Sequence, residues 1–120
     1  MFTVSGCNFH SSHPPEAVEL YNKIFHWKIL TNTENHAELE LIDSPNFILY
    51  FDKENSHCPT YPGSLSLRIQ DWNQFLNLDL NTNHLWMKHF VLEYKDPKNR
   101  YHSWLDPWKN RIWIIERDEK

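Results

Sequence analysis

Glycine is nearly missing from this chain: among 120 residues only Gly6 and Gly63 occur. With so few glycines there is no Gly-rich loop to cradle phosphate, and no Gly-x-Ser-x-Gly elbow to present a nucleophilic serine. Cysteine is as scarce. Cys7 and Cys58 have neither metal-type nor redox-type spacing, so two reduced thiols are expected. No run of Lys and Arg exists, and a net charge of −4 gives no footprint for a phosphate backbone, so nucleic acid is not an expected partner. No stretch approaches the about eighteen continuous apolar residues that cross a bilayer, so no membrane association is expected either. The opening segment Met1 to Pro15 lacks the charged and apolar regions of a secretory signal, and a cytoplasmic location is the expectation.

Aromatic side chains are plentiful, at 15% of residues with six Trp. Each Trp carries a large apolar area and one N–H that needs an acceptor. Core and subunit interface are the first use for them, and the wall of a ligand cavity is the second. A hydrophobic content of 40% permits a real core, and a chain of this length buries roughly two-thirds of its unfolded surface.

Periodicity orders the elements. Cys7 and Phe9 alternate with Asn8 and His10, which predicts a strand ended by Pro14-Pro15. Ala17, Leu20, Tyr21, Ile24 and Phe25 recur at helical steps, with Glu16 and Glu19 near the positive end of the helix dipole. Strands are predicted over Trp27 to Leu30, Ala37 to Ile42 and Phe47 to Phe51, with a turn at Asp43 to Asn46. A linker, 53–62, holds Pro59 and Pro62 and separates modules at about 1–52 and 63–118. In the second module Leu65, Leu67 and Ile69 alternate on a strand. Asp71 caps a short helix bearing Trp72, Phe75, Leu76 and Leu80, and strands follow over Trp86 to Tyr94, Tyr101 to Leu105 and Arg111 to Glu116. Helices separated by hairpin-like runs argue for an α+β fold in which the order βαβββ occurs twice within one domain spanning 1–120.

This doubled order resembles the glyoxalase, bleomycin-resistance and dioxygenase (vicinal oxygen chelate) superfamily. The resemblance rests on Leu20-Tyr21 followed by Phe25-His26-Trp27, on Ser64 to Asp71, and on Asp106-Pro107 with Asn110. It implies two curved mixed sheets around a cavity, and a homodimer whose cavities are completed across the subunit interface. His26 and Lys109 stand where that family has glycine; a non-glycine residue at positive φ is costly unless the turn changes shape, so the resemblance leaves both local geometries open. In metal-dependent members His, Gln or Glu side chains point into the cavity. By distance from the motifs those positions fall at Gly6, Ser64 and Trp113, with a further one within Phe47 to Phe51. Gly and Trp offer no side-chain ligand to a divalent metal, and a serine hydroxyl is a poor one. No metal or other cofactor is expected, and no catalytic residue is assigned.

Eight histidines were weighed as substitutes. His10 lies on the cavity face of the first strand, and a displaced site using His10 with His102 would still lack a third ligand. His13, His36, His57 and His84 sit in turn-like segments and read as solvated, His26 at a helix end and His89 on a strand surface. Glu38 and Glu40 share a strand face that reads as solvated too.

What remains is a binding cavity. Alternation places Ser64, Ser66 and Arg68 on one strand's cavity face beside Trp113 and Ile115, with Asn8, His10 and Tyr50 contributed by the first module. Arg68 suits an anionic or planar group and Trp113 a stacked ring. The alternative for these two is a salt bridge at Arg68 and a cavity filled by Trp113. The expected function is a metal-independent, bleomycin-resistance-type protein that sequesters a small molecule. The alternatives are a superfamily lyase, isomerase or dioxygenase with a displaced metal, and a non-catalytic structural or regulatory protein with a filled cavity.

Overall fold

The computed structural model describes residues 1–44, 46–55 and 58–117. The predicted turn residue Pro45 and the histidine His57 lie outside the described residues. The chain divides into two compact units, Met1–Gly63 and Ser64–Lys120.

The first unit runs β1 (Gly6–His10), α1 (Pro14–Phe25), β2 (Lys28–Asn32), β3 (His36–Glu40) and β4 (Ile48–Asp52). Its sheet has the order β1-β4-β3-β2, with β1 parallel to β4 and the other pairs antiparallel. Pro14 and Pro15 occupy the first turn of α1, where a missing N–H costs no hydrogen bond. The predicted apolar stripe is the buried one: Ala17, Leu20, Tyr21 and Ile24 pack on the sheet face carrying Phe9, Ala37, Leu39, Leu49 and Phe51. Tyr21 lies at the centre, its ring 5.0 Å from Phe51 and 6.1 Å from Phe9. Burying a side chain of this size is worth about 2 kcal/mol.

The helix stops at His26, whose φ of 60° is left-handed while its N–H donates to the Asn22 carbonyl. The turn thus keeps a glycine-like geometry without glycine. Phe25 and Trp27 stack across the turn at 4.2 Å.

The second unit runs β5 (Ser64–Ile69), α2 (Trp72–Asn77), α3 (Leu80–His89), β6 (Val91–Asp96), β7 (Tyr101–Leu105) and β8 (Arg111–Glu116). Its sheet repeats the first pattern, in the order β5-β8-β7-β6 with β5 parallel to β8. Two four-stranded mixed sheets and three helices make the α+β fold that the sequence predicted.

The Asp71 carboxylate caps α2 by accepting from the Gln74 N–H. Asp79 caps α3 in the same way, accepting from Asn81. Helix α3 corrects the expected strand from Trp86. Thr82 and Trp86, one helical turn apart, are the buried positions, and the strand begins only at Val91. The aromatic residues there favour a strand by propensity. The capped, periodic helix prevails because it sets Trp86 against Trp72 and Trp104 at 4.9 and 5.4 Å. His89 is accordingly the last helical residue, and His84 is an exposed helical one.

The β7–β8 turn is held by Asp106. Its carboxylate accepts from the backbone N–H groups of Trp108 and Asn110 and from the Asn110 side chain, all within 2.8 to 2.9 Å. Lys109 takes φ of 73° there, the second glycine-like position.

Candidate functional site

In each unit one sheet face is covered by helix and the other carries polar side chains. In the first unit the uncovered face holds Asn8 and His10 from β1, Tyr50 and Asp52 from β4, and His36 and Glu38 from β3. The register aligns Asn8 with Tyr50 and Glu38, and His10 with Asp52 and His36. The ring of His10 bonds the Thr60 hydroxyl at 2.7 Å, which ties the linker to β1, and the Tyr50 hydroxyl bonds that of Ser5. Linker residues 58–62 with Asn8, Phe9 and Asp52 line a cleft of about 410 Å³.

The strongest polar feature of this face corrects the sequence reading of a solvated His36. The imidazole lies with Nδ1 2.6 Å from Asp52 and Nε2 2.6 Å from Glu38. Both nitrogens donate only in the imidazolium form. Partial burial opposes the charge, but hydrogen bonds to Glu38 and Asp52 and their charges outweigh it and raise the pKa above 6.5. Glu38 is therefore half-buried and paired rather than solvated. Glu38 Oε1 also accepts the Thr31 hydroxyl at 3.4 Å.

The second unit's uncovered face assembles the predicted group. Ser66 is aligned with Trp113, and Arg68 with Ile115, while Ser64 lies opposite Arg111. Ser64, Ser66 and Arg68 are exposed, and Trp113 and Ile115 half-buried. Among the described residues no carboxylate lies within salt-bridge distance of Arg68.

Sequence reading missed five further residues of this face. Tyr94 and Tyr101 join Trp113 in an aromatic trio with ring separations of 5.9 to 6.4 Å. Beside it Arg111 grips Glu93 with two N–H donors, at 2.5 and 2.8 Å, and Ser103 adds its hydroxyl at 3.0 Å. The bond from Arg111 holds the Glu93 carboxyl below its ordinary range. For Glu93 and Tyr94 the cause of the omission is a β-bulge between Leu92 and Tyr94. It turns Glu93 and Tyr94 to the same face, whereas strict alternation would separate them.

The family's metal positions were tested against this geometry. A side chain at Gly6 has no room: a Cβ there would lie 1.7 Å from the Ile48 carbonyl oxygen. Ile48 is the β4 residue aligned with it, and is aliphatic. Trp113 presents a donor-only indole, and Ser64 a neutral hydroxyl. These residues do not fit a divalent metal. Among the described residues no group of three or more His, Cys, Asp or Glu is placed to hold one. His102, the other histidine weighed, is buried on the helix-covered side of its sheet against Trp72.

The two sheets, their order and their helices are those of the vicinal oxygen chelate superfamily, and the chain has that fold. A possible glyoxalase from Bacillus cereus aligns with a TM-score of 0.64 at 16% identity, covering 96% of this chain and 99% of that one. A bleomycin-binding protein from Streptomyces verticillus, solved with copper(II)-bleomycin, aligns at 0.64 and 9% identity over 98% of each chain. The fosfomycin resistance protein FosX from Listeria monocytogenes, solved with manganese(II) and a dihydroxypropylphosphonic acid, aligns at 0.68 and 8% identity, over 98% and 92%. No family model matches the sequence, and no curated protein matches it. No helix among the described residues is long and apolar enough to cross a membrane.

Proposed function

We propose that this protein is a metal-independent small-molecule binding protein of the bleomycin-resistance type, acting as a cytoplasmic homodimer of one glyoxalase-like domain per chain. The observation that carries the reading is the second unit's uncovered face. There a guanidinium with no carboxylate partner among the described residues, Arg68, shares a surface with the aromatic trio of Tyr94, Tyr101 and Trp113. A planar ligand stacks on such rings, and an anionic group on it pairs with Arg68. The copper(II)-bleomycin complex of a protein with this fold supports the sequestering role. On the second unit's face Ser64 and Ser66 are proposed as hydroxyl partners and Ile115 as an apolar wall, and on the first unit's uncovered face Asn8, His10 and Tyr50 are proposed as ligand-binding residues. Dimerisation rests on the prevalence of twofold pairing among soluble oligomers.

Calorimetric titration of planar aromatic ligands, with Arg68→Ala and Trp113→Ala, tests the proposal. Each substitution should weaken binding about tenfold or more while the circular dichroism spectrum is unchanged. Normal binding by both variants would overturn it. Stoichiometric metal in the purified protein, found by elemental mass spectrometry, would overturn the metal-independent reading and favour a metal-dependent lyase, isomerase or dioxygenase. Sedimentation equilibrium checks the dimer.

A further inference from the structure

A different site lies on the other face of the second sheet. Between α2, α3 and the strands is a cleft of about 240 Å³, walled by Trp72, Leu76, Met87, Leu92 and Trp104. Four polar residues complete its lining: Asn73, Lys95, His102 and Glu116.

His102 is only 5% exposed, and its tautomer follows from its neighbour. The Trp104 indole can only donate, and it does so to Nδ1 of His102 at 2.7 Å. The neutral ring therefore carries its proton on Nε2. Burial lowers the pKa of His102 despite the nearby Glu116 charge, which keeps that ring neutral. Nε2 faces Glu116 Oε2 across 3.8 Å, too far for a hydrogen bond. Glu116 is fixed in turn, because its Oε1 accepts the Trp72 N–H at 3.0 Å.

A donor and an acceptor 3.8 Å apart admit no atom on the line between them, but an oxygen set to one side of that line can lie about 2.8 Å from each. A hydroxyl fits both: its oxygen accepts from Nε2–H and its proton goes to Oε2, each bond about 2.8 Å long. Alcohol, phenol and water share this chemistry. The indole walls favour a ring behind the hydroxyl. Lys95 favours an anionic group on that ring, since no salt bridge engages its ammonium among the described residues. We infer that this cleft binds a monocyclic phenol bearing a carboxylate, with the phenolic oxygen between His102 and Glu116 and the carboxylate toward Lys95. The site is separate from the face carrying Arg68 and Trp113, and it stands or falls independently of that proposal.

The test is nuclear magnetic resonance titration of the full chain with para-hydroxybenzoate, reading the indole N–H signals. The Trp104 signal should move, because its N–H is bonded to His102, and the Trp113 signal should stay. Benzoate, lacking the hydroxyl, should bind about tenfold or more weakly. Glu116→Gln keeps a carbonyl oxygen for the Trp72 N–H and removes the charged acceptor. It should erase the preference for the hydroxylated ring. Lys95→Met should weaken both acids alike. The inference is overturned by equal affinity for the two acids, by an unmoved Trp104 signal at millimolar ligand, or by movement of Trp113 alone. If only bulk water occupies the gap, the result is the first or second of these.

Discussion

His36 and His102 stand near the same point of the two repeated sheets and have opposite environments. His36 is the first residue of β3 and His102 the second of β7, and each lies close to an acid ending the neighbouring strand, Asp52 or Glu116. One residue of offset along a strand turns the side chain to the other face. His36 thus stays on the uncovered face, where two carboxylates raise its pKa, and His102 goes under the helices, where burial lowers its pKa. The same pair of chemistries becomes an ion trio in one unit and a spaced donor and acceptor in the other. An element order repeated in the chain fixes where strands run, while register decides what each side chain can do.

The largest way to break the comparison is at the first residues of β1 and β5. Gly6→Ala forces a Cβ against the Ile48 carbonyl and should cost about 3 kcal/mol, read by urea unfolding. Ser64→Ala, at the corresponding exposed position, should stay within about 0.5 kcal/mol.

Next come the histidines, whose pH effects oppose one another. The raised pKa of His36 contributes stability that is full below about pH 6.5 and is lost as the pH rises through its folded value. The lowered pKa of His102 works the other way: stability is kept above about pH 6.5 and is lost as the pH falls through its folded value. Urea midpoints measured between pH 5 and 8 should therefore show a steeper acid loss in His36→Gln than in the wild type. His102→Gln should show a shallower one. Parallel profiles in all three proteins would contradict the assignment.

A smaller effect is expected at the two left-handed turns, one in each unit. His26→Gly and Lys109→Gly should each raise stability by about 1 kcal/mol, a gain of roughly 5 °C in Tm. The smallest is the Glu93–Arg111 pair, which is well solvated. Glu93→Gln should cost less than about 1 kcal/mol, and that cost should shrink further in high salt.

The legible part of the molecule was the part governed by local periodicity. The stripe of α1, the alternation of β1, β3, β5 and β8, and the Asp71 and Asp106 side chains that hold a cap and a turn all act within a few residues of chain. Six of the eight proposed ligand residues fell on the predicted strand faces for the same reason, as aligned neighbours: Asn8 with Tyr50, Ser66 with Trp113, and Arg68 with Ile115. At His26 and Lys109 the family resemblance marked a glycine position and left the turn geometry open, and the structure shows that both keep positive φ.

Helix α3 was misread because Trp86 to Phe90 is as suitable for a strand as for a helix. The choice was made by the packing of Trp86 against Trp72 and Trp104, residues distant in sequence. Glu93 and Tyr94 were missed because a bulge breaks the period on which strand reading depends.

By itself, then, the sequence determined most of the strands, the first helix and the turns, since these follow from side-chain spacing along a few residues. Only the tertiary structure decided that Gly6 has no room for a ligand, that His36 closes on two acids, and that His102 and Glu116 face one another across a gap. Each of these depends on distances between strands, and those are set by how the whole sheet packs rather than by any segment of it.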